Sequence, residues 1–159
     1  MGTSTNAMLM YGYHLGGDEG GWEMEGAGEY GGLPAVPWYD PDAEDGDIVE
    51  LMMHHLLAEI AGFTETDWKA DGYFDRKRVA EQQVGVTIES HCSGEFPMWV
   101  LCAKAITAYR GDVHVVDPPW LISEPVKRDW TEKLNAAIEA LGIRPTQQRP
   151  EWLLCSYWG

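Results

Sequence analysis

The first 68 residues contain no lysine and no arginine; the first basic residue is Lys69. Binding of nucleic acid or of an anionic membrane requires positive charge to displace counterions, so neither is expected as a direct partner of this chain. No apolar run approaches the roughly 20 residues that a membrane-spanning helix needs, and the opening residues lack the basic stretch of a secretory signal. Cysteine is scarce, with three in 159 residues. Cys92, Cys102 and Cys155 are odd in number and lie in apolar stretches, which predicts buried reduced thiols and a cytoplasmic location. Also missing are a phosphate-cradling glycine loop, a Gly-x-Ser-x-Gly elbow and a His-Glu-x-x-His zinc motif. No cofactor or metal is expected.

What is present is acid, glycine and tryptophan. The formal charge is −15, and residues 1–68 hold 14 Asp or Glu against no base. The remaining 91 residues hold the other 12 acids against all 11 bases, a balance of −1. Such asymmetry suits a basic partner surface, a cation, or solubility alone. Hydrophobic residues make up 45%, and eight are tryptophan, which predicts one packed domain over 1–159 with large aromatic anchors.

Residues 6–14 are apolar and aromatic and read as a buried strand. Residues 15–46 are rich in glycine and acid and read as a long loop pinned at its aromatics. Asp47 opens a helix that carries Ile48, Met52, Leu56 and Ile60 on one face and stops at Gly62. Residues 84–90 and 112–117 alternate like strands, and 152–158 reads as a strand covered on both sides. Ser123 caps a helix running to Leu141, with Gly142 as its stop. The run 96–109 reads as a buried helix from its alanines and flanking Pro97 and Gly111. The expected fold is therefore α/β, with three helices on a four-stranded, mixed or largely parallel sheet. If 96–109 is instead a strand, the fold is α+β with an antiparallel hairpin.

In a parallel sheet the strand ends would gather His14, His91, Cys92 and Asp117, with Ser156 or Tyr157 nearby. Such a His/Cys/Asp cluster could support nucleophilic chemistry or hold zinc. The bland alternative for 90–97 is a polar turn ordered by Ser93. His54 and His55 read as solvated residues on the helix. The run Asp40–Asp47 resembles a calcium loop, but its glycine and twelfth positions hold Asp45 and Leu51.

The phrase His91-Cys92-Ser93 through Pro97-Met98, the ending 152–158 and the opening Tyr11-Gly12-Tyr13 resemble small uncharacterised acidic proteins of actinobacterial phages and their hosts. That resemblance implies a phage or mobile-element accessory role in the host cytoplasm and supplies no catalytic residue. With the charge pattern, it makes the leading expectation a non-enzymatic inhibitor or charge mimic that binds a basic protein surface. Asp18, Glu19, Trp22, Glu23, Glu25, Glu29, Tyr30, Trp38, Tyr39, Asp40, Asp42, Glu44 and Asp45 would form that surface. The alternatives are a small enzyme or metal-binding protein using the His/Cys/Asp cluster, and a self-associating protein that pairs through its C-terminal strand.

Overall fold

The apolar run at 6–14 belongs to a longer strand, β1 (Thr5–Gly17), in a computed structural model that describes residues 5–17, 20–28, 32–43 and 46–159. A short β2 (Gly21–Trp22) turns back on the end of β1. Helices α1 (Ile48–Ala61) and α2 (Tyr73–Val84) follow, and then the antiparallel hairpin of β3 (Thr87–Ser93) and β4 (Pro97–Ala108). Helices α3 (Pro118–Lys127) and α4 (Trp130–Leu141) lead to the final strand, β5 (Glu151–Trp158). The fold is α+β, with one five-stranded mixed sheet and four helices among the described residues.

The strands pair in a ring. β1 lies between β4 and β5, antiparallel to both, and β4 continues to β3. β3 then meets β5 in parallel at Cys92 and Ser93, opposite Tyr157 and Trp158. Alternation along each strand sorts side chains to the two faces of this closed sheet. Met8, Met10, Val100 and Cys102 are buried on the inner face, with Leu153, Cys155 and Tyr157 packed against them. Tyr13, Leu15 and Leu101 point outward into the main core, with Met52 and Leu56 of α1, Val84 of α2 and Leu134 and Leu141 of α4. Tyr11, Trp120, Trp130 and Trp152 stack with neighbouring ring centroids 5.4–6.2 Å apart, tying α3 and α4 to β1 and β5.

Several expectations are corrected. The sheet is not largely parallel, because 96–109 is a strand. Its apolar residues are buried on both faces, so hydrophobicity shows no alternation, and pairing along β1 overrides the helix propensity of its alanines. Residues 112–117 form no strand, since no strand among the described residues pairs with them. The helix expected over 123–141 is two helices, broken at Asp129, whose φ of 55° is incompatible with a continuous right-handed helix. β5 is not covered on both sides: Leu154 is 80% exposed. Helix α2 went unpredicted because only Tyr73, Ala80 and Val84 are buried among its charges. The first helix agrees with its sequence signals, with Asp47 accepting from the Val49 amide at 2.9 Å and Gly62 ending it in the left-handed region.

Candidate functional site

Beyond β1, the acidic segment is fastened alternately to the body of the protein. The Glu23 amide donates to the Leu15 carbonyl at 2.8 Å, and the Glu25 amide to the Arg144 carbonyl at 2.8 Å. This extended backbone sends Trp22 and Met24 into the core, 4% and 3% exposed, while Glu23 and Glu25 point outward. Further along, Val36 is buried and Trp38 Nε1 donates to the Leu141 carbonyl at 2.7 Å. Tyr39 packs beside Trp38 on the core, and Asp40 and Asp42 are exposed. The aromatics Trp22, Trp38 and Tyr39 therefore hold the segment in place and leave the carboxylates outside. Asp18, Glu19, Glu29, Tyr30, Glu44 and Asp45 lie outside the described residues.

At the same end of β1, His14 and His91 come together on the inner face of the sheet, with ring centroids 5.1 Å apart. Glu23 Oε2 lies 2.9 Å from His14 Nδ1. A carboxylate only accepts, so Nδ1 carries a proton and the Nε2 of a neutral ring is left as a lone pair. The Nε2 atoms of both histidines are buried without a hydrogen-bond partner among the described residues. Burial, and then the neighbouring His14, hold the proton affinity of His91 below the ordinary imidazole value, with Glu23 opposing them.

Because His91 binds protons less readily folded than unfolded, lowering the pH through the ordinary value of 6.5 favours the unfolded chain. We expect the fall in melting temperature between about pH 7.5 and about pH 5.5 to be smaller in His91→Gln than in the parent chain. Equal falls in the two proteins would remove His91 as a source of acid sensitivity.

The remaining members of the expected cluster lie apart from the histidine pair or play other parts. Cys92 is exposed, contrary to the expectation of a buried thiol, and its φ of 74° places it in the left-handed region at the hairpin turn. The turn joins two strands rather than a strand and a helix. Ser93 Oγ orders it by accepting from the Phe96 amide at 2.9 Å. Cys102 is buried, and burial pushes its thiol up to about 12, so it is inert as a nucleophile at neutral pH. Asp117 precedes α3 and lines a groove at the other end of β1 with Ala7 and Leu9. Ser156 sits opposite Ala7, and Tyr157 is on the inner face. His54 is exposed as expected, but His55 is not solvated. Its Nε2 lies 2.9 Å from the Ala140 carbonyl, and its ring faces Trp38. Among the described residues no three His, Cys, Asp or Glu side chains converge as a metal site.

The groove was not anticipated. It has a volume of about 530 Å³ and runs between the outer face of the sheet and the 114–121 segment. Across its floor Ile106, Leu9 and Leu154 stand side by side on β4, β1 and β5. Val115, Val116 and Leu121 form its wall, and Lys104 and Asp117 supply charge. The sequence signal is the alternating Val113-His114-Val115-Val116 run, a strand pattern that pairs with no strand among the described residues.

Compared with known protein families, with curated proteins and with solved structures, the chain matches none. No helix among the described residues is long and apolar enough to cross a membrane.

Proposed function

We propose that this chain is a non-enzymatic binding protein, a phage or mobile-element accessory factor whose acidic N-terminal half engages a basic protein surface as an inhibitor or charge mimic. The observation that carries this reading is the alternation at 22–25: Trp22 and Met24 are buried, while Glu23, held by His14, and Glu25, 3.9 Å from Arg144, keep side chains 48% and 68% exposed. Carboxylates fixed in this way need little ordering on binding, and the surrounding charge steers the encounter with a cationic surface. Asp40 and Asp42 extend the display beyond the Trp38 anchor.

A panel of arginine- and lysine-rich peptides, each with a charge-neutral control, provides the test. Basic peptides should bind at low salt and lose at least about tenfold in affinity by physiological salt. The triple variant Glu25→Gln, Asp40→Asn, Asp42→Asn keeps the shape of each side chain and leaves the Glu23 contact to His14 alone. It should associate several-fold more slowly. Binding that ignores both salt and these substitutions would refute the reading.

The enzyme or metal-binding alternative keeps one favourable observation, the close pair of His14 and His91 with buried Nε2 atoms that have no partner among the described residues. Asp117 belongs to the groove, so the acid beside the pair is Glu23, bonded to His14 Nδ1, and not the expected Asp117.

A further inference from the structure

We propose that the groove and the adjacent 113–116 segment form a contact between two copies of this chain, a surface distinct from the acidic one. The segment is β-branched and lies outside helix and strand, and among the described residues none of its backbone amides or carbonyls has a hydrogen-bond partner. Val113 and Val115 are 92% and 95% exposed, next to Leu154 at 80%. Ile122 and Val126 on α3 are also exposed, at 76% and 77%. Unpaired strand edges beside apolar surface are templates for another strand, and proteins that avoid pairing place charges or proline there. Here the run is broken by His114 alone, and proline arrives only at Pro118.

Charge selects the occupant. Between 104 and 117 the charged residues are Lys104, Arg110, Asp112 and Asp117, two of each sign. Lys104 and Asp117 both line the groove, one charge of each sign, so a twofold axis that sets Lys104 of one copy against Asp117 of the other would pair both, as an isologous contact allows. The patch has no excess negative charge to draw a basic peptide. The rest of the molecule opposes self-association, because the net charge of −15 arises mainly in the N-terminal half. β1 begins in the groove and ends at the acidic segment, so a dimer formed at the groove leaves that segment free. With the two segments antiparallel about an axis through His114, Val113 of one copy faces Val115 of the other. Cross-strand apolar pairs of that kind add to the ladder they flank.

Sedimentation equilibrium on the full chain, from low to high micromolar concentration, tests the inference. The parent chain should reach twice its monomer mass and hold it at high salt, since the contact is apolar. Val113→Asp with Val115→Asp should weaken association at least about 100-fold, and Leu154→Asp, from the groove floor, about tenfold. All three side chains are exposed, so circular dichroism of the variants should match the parent and show that folding is intact. A parent chain that stays monomeric throughout, a dimer that salt dissolves, or a dimer that survives the double substitution would overturn the proposal. None of these outcomes bears on peptide binding by the acidic half, so the two readings fail separately.

Discussion

Gly12→Ala should destabilise the protein by at least about 3 kcal/mol and lower its melting temperature by about 10 °C. Gly12 is paired on both sides, to Cys102 of β4 and to Glu151 of β5, where β4 takes an extra residue and the ladder shifts register. A Cβ at this position would stand 1.9 Å from the Leu101 carbonyl oxygen and 2.8 Å from Cys102 Cα. These are backbone atoms of a strand whose residues 101 and 102 are 0% and 1% exposed, so no flexible side chain can move aside. Relief requires separating β1 from β4, the longest ladder in the sheet and the boundary between its two apolar cores. Gly32→Ala is the control: among the described residues nothing lies within 4 Å of its added Cβ, so its melting temperature should stay within a degree or two of the parent. Urea unfolding of the three proteins decides the matter, and a Gly12→Ala midpoint equal to that of Gly32→Ala would contradict the close approach.

What the sequence discloses about this fold depends on whether local signals and long-range pairing agree. They agree at α1, where Asp47 and Gly62 mark the ends and the apolar face meets the core. They agree again at β1 and β5. They disagree along 96–109, where alanine and proline favour a helix and only the partner strand β1 makes it a strand. They disagree in the opposite sense at 113–116, whose pattern demands a neighbour that the described residues do not supply. The histidine pair was foreseen for a reason that does not hold. Parallel strand ends were expected to gather it, whereas His14 and His91 meet because β4, between β1 and β3, is antiparallel to both. Asp117 was included by the same argument and falls out with it, because without a strand at 112–117 its position is set by α3. For the acidic segment, the aromatics were readable as pins, but composition could not show which residues face inward. That depends on the hydrogen bonds to Leu15 and Arg144, partners that lie 8 and 119 residues away from those they hold.

Trp22→Ala tests whether that pinning matters to function as well as to stability. The ring is buried in the main core, and removing a side chain of this size from such a place costs about 3–5 kcal/mol. The expected fall in melting temperature is about 10 °C, with Trp22→Phe recovering most of the loss. The formal charge is identical in all three proteins, which makes the comparison informative below the melting transition. If the acidic half works by presenting carboxylates at fixed positions, Trp22→Ala should bind basic peptides several-fold more weakly than the parent at the same salt, because Glu23 and Glu25 must then be ordered on binding. The salt dependence itself should persist, since it follows charge number and not placement. Equal affinity in the folded Trp22→Ala protein would mean that net charge alone governs capture, and the alternation at 22–25 would then serve stability only. Weaker affinity with an unchanged salt slope would assign the buried tryptophan a positioning role, by which the core of the protein fixes the geometry of its acidic surface.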